Sequence, residues 1–145
     1  MNATKKIVVY AAGVFDILHV GHIRYLEKAK ALGDVLVVGL LTDEGTKAYK
    51  YKYPIIPFLE RWEILHSIKP IDYVVAQNST DPTFTLQQLK LGHNDLFPDI
   101  LVRGDDVSLP VPGQEFVESQ GGKVVILPYT KKVSSTLIKK RIKNV

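Results

Sequence analysis

Residues 7–22, IVVYAAGVFDILHVGH, decide the fold of this chain. Residues 7–12 form a continuous run of β-branched and apolar side chains, which is typical of a strand buried on both faces of a parallel sheet. Beyond a glycine-containing turn, apolar residues recur at helical spacing: Ile23, Leu26, Ala29 and Leu32. The stretch therefore predicts a buried strand, a tight turn and the start of a helix.

Periodicity along the rest of the chain alternates between strands and helices. Further strands are predicted at residues 35–41, 73–76, 100–103 and 124–127. Further helices are predicted at residues 57–68, 83–91, 113–120 and 134–143, and in the first of them we expect an inward face made by Leu59, Trp62 and Leu65. The alternation predicts a single α/β, Rossmann-like domain over residues 1–145, with a five-stranded parallel sheet and helices on both faces.

Residues 42–56 interrupt this alternation. They are polar, rich in lysine and tyrosine, and show no clear period. A loop of this length in a compact domain is usually a lid or a binding loop, so we expect one of these here.

The composition excludes several classes of protein. The 145 residues include no cysteine, so we expect neither disulfides nor a thiolate metal site, in keeping with a cytoplasmic location. No apolar run approaches the ~18 residues of a spanning helix, and residues 1–6 lack the apolar stretch of a secretory signal. We therefore expect no membrane partner.

The net charge of +4 is concentrated at the C-terminus. Residues 131–145 hold six basic side chains and no acidic one, and a second basic run lies mid-chain: Lys47, Lys50 and Lys52. Such runs are either solvated faces or surfaces for an anion such as a polyphosphate. Aromatic residues are not interleaved with them in an RNA-binding pattern, so we expect no nucleic-acid partner.

The ends of the predicted strands indicate where a ligand binds. Open parallel sheets bind ligands beyond the carboxyl ends of their strands. The segments that follow strands one, two, four and five should therefore converge on one mouth: residues 13–22, 42–43, 104–106 and 128–136.

Two histidines stand at the junction between the first strand and the first helix. His19 and His22 are three residues apart, so both can face an anion held by the free N–H groups of the helix start. Gly21 lets the backbone approach a ligand closely. The alternatives are structural histidines or a metal pair, but a third ligand at fixed spacing is missing and we predict no metal site.

Other candidate residues follow from charge and hydroxyl placement. Ser134, Ser135 and Thr136 open the last helix and either cradle phosphates or simply cap the helix. Lys50 either closes over a triphosphate or is solvated. Asp16 either holds magnesium or orients its loop.

The segment Gly13–His22 closely resembles the G-x-F-D-x-x-H-x-G-H signature of the cytidylyltransferase-like nucleotidyltransferases. The resemblance covers nearly the whole chain through further blocks: Gly33-Asp34, Thr42-Asp43, Arg61, Gly104-Asp105-Asp106 and the segment 134–139, SSTLIK. It implies transfer of a nucleoside monophosphate from ATP or CTP, with Mg²⁺, to a phosphorylated small molecule. It also implies a homodimer.

The resemblance also implies a role for each matching residue. The catalytic set would be His19, His22, Lys50 and Arg61. The nucleotide-binding set would be Gly13, Val14, Phe15, Gly21, Arg103, Gly104, Asp106, Tyr129, Ser134, Ser135 and Thr136. The acceptor-binding set would be Asp16, Asp43 and Lys47.

The acceptor is the least determined part of this hypothesis. The heptose 1-phosphate adenylyltransferases of lipopolysaccharide-core synthesis share more features than the glycerol-3-phosphate cytidylyltransferases, and the archaeal-type FAD synthetases share Lys69-Pro70-Ile71-Asp72. Tyr129 stands where the cytidylyltransferases carry arginine, so it cannot make a charged phosphate contact. A catalytically silent nucleotide-binding module is the alternative from another class.

Overall fold

The computed structural model describes residues 4–145. The prediction that residues 1–6 lack a secretory signal therefore falls partly on Met1–Ala3, which lie outside the described residues. The elements in chain order are β1 Val8–Gly13, α1 Val20–Lys30, β2 Val35–Leu41, α2 Asp43–Lys50, α3 Phe58–His66, β3 Tyr73–Gln77, α4 Thr83–Gly92, a 3₁₀ turn Asn94–Leu96, β4 Ile100–Gly104, α5 Gln114–Ser119, β5 Lys123–Leu127 and α6 Ser135–Lys143. Within residues 4–145 the strands form one five-stranded sheet in the order β3-β2-β1-β4-β5. Every pairing in it is parallel, which confirms the predicted α/β sheet.

Alternate side chains of β1 enter two separate cores. Val9 and Ala11 pack in the core that includes Leu26 of α1 and Leu65 of α3. Val8 and Tyr10 point the other way, into the core that holds residues of α4 and α5. The sheet is therefore covered by helices on both faces, as predicted, and a strand buried on both sides has no polar face to show in its sequence.

The amino ends of β1 and β2 are held by aspartates from neighbouring turns. Asp34 accepts the N–H of Ile7, and Asp99 accepts the N–H of Val8. Asp72 accepts the N–H of Leu36 at the start of β2. These carboxylates satisfy strand-end donors that the sheet leaves unpaired.

The segment 42–56 contains a helix that the sequence did not predict. Thr42 caps α2 by accepting the N–H of Gly45, and Asp43 and Glu44 lie in the first turn with lysines in the last. This charge order suits the helix dipole, so a short polar stretch that lacks a long apolar period still forms a helix. The prediction of an irregular loop was wrong for residues 43–50.

The inward face of α3 also differs from its prediction. Leu59 is 76% exposed, whereas Arg61 is buried. The stripe that faces the protein is Phe58, Arg61, Trp62 and Leu65, an i, i+3, i+4, i+7 spacing that includes a charged residue.

The order of the strands opens a crevice at the carboxyl edge of the sheet. β1 lies between β2 and β4: the chain runs from β1 to β2 and β3 on one side of β1 and then crosses to β4 and β5 on the other side. Ligands bind at such a switch point in open α/β sheets. Within residues 4–145 no helix is both long and apolar enough to cross a membrane.

A buried polar network crosses the sheet from β1 to β3. The Tyr10 hydroxyl donates to Oε1 of Gln77 at 2.5 Å, and both side chains are buried. Gly39 of β2 lies between them, and a Cβ there would overlap the Tyr10 hydroxyl and stand 2.5 Å from Gln77 Oε1. The missing side chain of Gly39 therefore makes room for the hydrogen bond.

We expect Gly39→Ala to lower the free energy of unfolding by about 2 kcal/mol or more, because the added methyl group overpacks a rigid core and separates two buried polar groups. Gly92→Ala is the matched control. A Cβ at Gly92, the last residue of α4, would meet nothing within 4 Å. The control should be neutral or gain up to about 1 kcal/mol. Urea unfolding measures both; equal stability of the two variants would contradict the network's role.

Candidate active site

A cleft of about 750 Å³ opens at the carboxyl edge of the sheet, at the switch point. Every residue of the predicted nucleotide-binding set lines it: Gly13, Val14, Phe15, Gly21, Arg103, Gly104, Asp106, Tyr129, Ser134, Ser135 and Thr136. His19, His22, Lys50 and Asp16 line it as well. The structure thus brings together residues from four separate segments: 13–22, 50, 103–106 and 129–136.

His19 and His22 close the start of α1 by capping each other. The Nδ1 atom of His19 accepts the N–H of Gly21 at 3.1 Å, and Nδ1 of His22 accepts the N–H of His19 at 3.2 Å. The two rings stack with centroids 3.8 Å apart. A nitrogen that accepts a hydrogen bond carries no proton, so each neutral ring bears its proton on Nε2. The cap therefore leaves Nε2–H as the donor of each histidine.

Both histidines are neutral at physiological pH. Burial, the charge of His19 and the nearby Lys50 lower the pKa of His22 to about 4, against a smaller opposing effect from Asp16. Burial also lowers the pKa of His19. Neutral imidazoles can still donate through Nε2–H, and they do not repel the lysines that share the cleft.

The structure gives a second reason for glycine at position 21, besides the access that it allows a ligand. A Cβ at this position would stand 2.9 Å from Cε1 of His19, so only glycine allows the His19 ring to fold back onto the helix start. The spacing of the His-x-Gly-His segment thus agrees with the hydrogen bonds by which His19 and His22 cap the start of α1.

The turn before the histidines is held in uncommon backbone conformations. Phe15 and Ile17 have φ of 53° and 49°, a region that non-glycine residues rarely adopt. Phe15 is buried over Gly13, whose missing side chain leaves space for the ring. Its ring centroid lies 5.4 Å from that of His22. Strained residues that persist in a turn mark a site whose shape is set by its surroundings.

Asp16 ties three segments together. Its carboxylate accepts the N–H groups of Ile55 and Ile56 at 2.8 and 2.9 Å. Its carbonyl accepts the hydroxyl of Ser135 at 2.8 Å, and its carboxylate lies 3.9 Å from Nζ of Lys139. Of the two roles predicted for Asp16, the geometry favours orienting the loop.

Of the three hydroxyl side chains at the start of α6, two make hydrogen bonds within the protein and one is exposed. Ser134 caps the helix by accepting the N–H of Leu137, and Ser135 donates to Asp16. Thr136 is exposed and makes no side-chain hydrogen bond within residues 4–145, so its hydroxyl is available to a ligand.

Three lysines converge on the cleft from two elements. Lys50 ends α2, Lys52 follows it, and Lys139 lies one turn into α6. Burial and the charge of Lys139 lower the pKa of Lys50. Lys52 and Lys139 were predicted only as members of basic runs and not as individual site residues. The spacing of Lys139 four residues after Ser135 was the available signal for its position, because it places both on one helix face.

Arg61 does not reach the cleft, which corrects its prediction as a phosphate ligand. Its side chain has no exposed surface. Nη1 donates to the carbonyls of Val14 and Leu41, and Nε donates to that of Ile56, each at 2.8 Å. Nη2 lies 2.6 Å from a carboxylate oxygen of Asp43. With these donors engaged, Arg61 joins the ends of β1 and β2 to the segment that follows α2.

Asp43 and Lys47 also lie outside the cleft, contrary to their prediction as acceptor ligands. Asp43 pairs with Arg61 and accepts the N–H of Phe58. Lys47 places its ammonium group 4.5 Å above the ring of Tyr53. Both side chains are therefore committed to shaping the segment around α2.

The β4–β5 side of the cleft carries aromatic and charged groups. Tyr129 packs against Gly104, where any side chain would overlap its ring, and its ring centroid lies 6.0 Å from that of Tyr25. Burial and the Asp106 carboxylate raise the pKa of Tyr129 to about 12. Tyr129 is therefore a neutral, half-exposed platform beside Asp106.

The protein atoms supply little that would hold a metal ion. Within residues 4–145 no three histidine, cysteine, aspartate or glutamate side chains cluster as a metal site. The carboxylates that line the cleft are Asp16, already occupied by two N–H groups, and Asp106. A divalent cation here would depend mainly on oxygens of a ligand.

Comparisons with known proteins identify a family and several relatives. The profile of the family described as Cytidylyltransferase-like matches residues 10–141. The Bifunctional protein HldE of Citrifermentans bemidjiense is 42% identical over 139 residues, which are 94% of this chain and 27% of that protein. HldE of Geobacter sulfurreducens is 40% identical over 143 residues, 97% of this chain and 28% of that protein. The chain thus spans about a quarter of the length of these relatives.

A solved structure extends the comparison. The lipopolysaccharide core biosynthesis protein from Thermoplasma volcanium superimposes with a TM-score of 0.68 at 33% sequence identity. The superposition covers 88% of this chain and 99% of that one.

We expect the free energy of unfolding to fall in mild acid because of the lowered pKa of His22. Its pKa is about 4 in the folded protein and ordinary, near 6.5, in the unfolded chain, so the unfolded chain takes up the proton first. The contribution is fully present above pH 6.5 and is lost as the pH falls toward 4, by roughly 2–3 kcal/mol. Urea unfolding across this range should show a smaller loss for His22→Asn; parallel curves would contradict the shift.

We expect Arg61→Met to lower the free energy of unfolding by about 3–5 kcal/mol, because it leaves the Asp43 charge and buried carbonyls without a partner. The exposed Arg24 of α1 provides the control, since Arg24→Met should change stability by at most about 0.5 kcal/mol. Unchanged stability of Arg61→Met with lost triphosphate binding would restore Arg61 as a ligand.

Proposed function

This chain belongs to the cytidylyltransferase-like family, and we propose that it transfers the adenylyl group of ATP to a sugar 1-phosphate of the heptose type, releasing pyrophosphate. The observation that carries the proposal is the mutual cap of His19 and His22, which presents two Nε2–H donors at a helix start inside a cleft shared with three lysines. The relatives' names, HldE and a lipopolysaccharide core biosynthesis protein, support the acceptor class.

The proposed chemistry needs no protein nucleophile. An oxygen of the acceptor phosphate, already ionised at neutral pH, attacks the α-phosphorus of ATP. A new phosphorus–oxygen bond forms, the bond to the bridging oxygen of the β-phosphate breaks, and pyrophosphate leaves with that electron pair. Catalysis therefore consists of positioning and of stabilising charge on the crowded α-phosphate.

His19 and His22 supply donors where that charge develops. Their Nε2–H groups are fixed by the cap before any ligand arrives, so no reorganisation is needed during the reaction. The free N–H groups and the positive end of the α1 dipole act in the same direction.

The lysines neutralise the phosphates. Lys50 and Lys139 approach the cleft from α2 and α6, and their mutual repulsion is relieved when an anion lies between them. Lys52 adds a third positive charge at the same mouth. Together they favour a ligand that carries several negative charges, such as a triphosphate beside an acceptor phosphate.

The base and ribose would lie on the β4–β5 side. The half-exposed Tyr129 offers a face for stacking, and Arg103, Asp106 and the backbone at Gly104 surround it. Magnesium would enter as part of the ATP substrate, coordinated chiefly by phosphate oxygens. A homodimer and a cytoplasmic location belong to the same proposal.

The test is a pyrophosphate-release assay with magnesium, ATP or CTP, and a panel of sugar 1-phosphates and glycerol 3-phosphate. We expect release with ATP and a sugar 1-phosphate. Turnover with CTP and glycerol 3-phosphate alone would replace this proposal with a cytidylyltransferase. Measured nucleotide binding without release for any pair would indicate a silent binding module.

We expect His22→Ala to lower kcat by about 10²–10³-fold, because it removes a donor aimed at the reacting phosphate. His93→Asn is the matched control, since His93 is exposed at the end of α4 and does not line the cleft. Its turnover should equal that of the unchanged protein. Undiminished turnover by His22→Ala would eliminate the proposed mechanism.

A further inference from the structure

Gln77 forms part of the floor of the cleft and has no role in the reaction described so far. It is the last residue of β3, its exposure is 0%, and it nevertheless lines the cleft. A polar side chain that is fully buried at the bottom of a binding cleft has its hydrogen-bonding groups fixed by its neighbours.

The Gln77 amide has one possible orientation. Tyr10 is buried and its hydroxyl donates to Oε1, while Nε2 donates to the carbonyl of Ser79 at 2.7 Å. The Ser79 carbonyl can only accept, so the amide cannot be flipped. Nε2 carries two hydrogens and the Ser79 bond uses one. The other has no acceptor within residues 4–145.

Thr46 provides a buried acceptor nearby. Its exposure is 1%, it lines the cleft, and its hydroxyl donates its single hydrogen to the carbonyl of Thr42 at 2.9 Å. The N–H of Thr42 in turn donates to the carbonyl of Gln77. Thr46 and Gln77 are thus tied to the same residue, and Thr46 can offer a ligand only the lone pairs of Oγ1.

We propose that Gln77 and Thr46 form a pocket for a hydroxyl group of the acceptor. A hydroxyl can accept from Nε2 of Gln77 and donate to Oγ1 of Thr46, whereas a phosphate has only acceptors and would face the threonine lone pairs unfavourably. The acceptor's phosphate then lies with the lysines, and its hydroxyl-bearing part lies at the β3 end of the cleft. Gln77 is a specificity-determining residue, and Tyr10 is a positioning residue that acts through it.

This inference rests on the proposed transfer to a sugar phosphate, and deoxy analogues of that sugar phosphate test it. The unchanged protein should discriminate by at least about tenfold in kcat/KM against the one analogue that lacks the bound hydroxyl. Gln77→Leu should raise the KM for the full sugar phosphate about tenfold, leave the KM for ATP unchanged and abolish the discrimination.

Two further variants keep the test decisive. Gln77→Leu strands the Tyr10 hydroxyl, so the double variant Tyr10→Phe/Gln77→Leu, which removes both polar groups, should fold and show the same loss of discrimination. Gln87→Leu changes an exposed glutamine of α4 outside the cleft and should behave as the unchanged protein. Full discrimination retained by the folded double variant would overturn the inference.

Calorimetric titration with the same sugar phosphate and its deoxy analogues separates this inference from the proposed function. Binding that depends on Gln77 without pyrophosphate release would sustain the hydroxyl pocket while overturning the transferase. Turnover with no preference among the analogues would overturn the pocket while sustaining the transferase.

Discussion

The structure around the cleft depends on one buried guanidinium. Arg61 donates to backbone carbonyls just beyond β1 and at the end of β2, and to a third carbonyl at Ile56. The N–H of Ile56 is held at the same time by Asp16. The backbone of one residue, Ile56, is therefore held on both sides, and this links the turn that carries the histidines to the segment that follows α2. A buried charge is tolerable here because Asp43 and the carbonyls replace the water it has lost.

The histidine pair shows how a local structural need can prepare a group for chemistry. A helix start leaves N–H groups that require acceptors, and the ring nitrogens of His19 and His22 meet this need. The same bonds determine which nitrogen keeps its proton and in which direction it points. Burial holds both rings neutral, so positive charge in the cleft comes from the lysines and Arg103, whose long side chains can adjust to a ligand.

The sequence predicted the sheet, its two covered faces and the convergence of several strand ends on one cleft. These features follow from continuous apolar runs and from the rule that the carboxyl ends of parallel strands meet at one edge. It failed where a role depends on a partner that is remote in the chain. Arg61 could be placed on a helix, but its stripe with Phe58 and Leu65 was missed, and no local pattern names the carbonyls that receive it. The position of Gln77 in the cleft could have been predicted by applying the same strand-end rule to β3, which was left out of the set of strands expected to converge.

The aspartates beneath the sheet have a consequence for how this protein can change over time. Asp34, Asp72 and Asp99 secure the strands at the edge opposite the cleft. β1 and β2 are thus held partly by residues that lie outside the cleft. Side chains at the β3 end of the cleft can then be exchanged during evolution with limited damage to the framework. Under the function proposed above, a lineage could in this way acquire a new acceptor while keeping its nucleotide site.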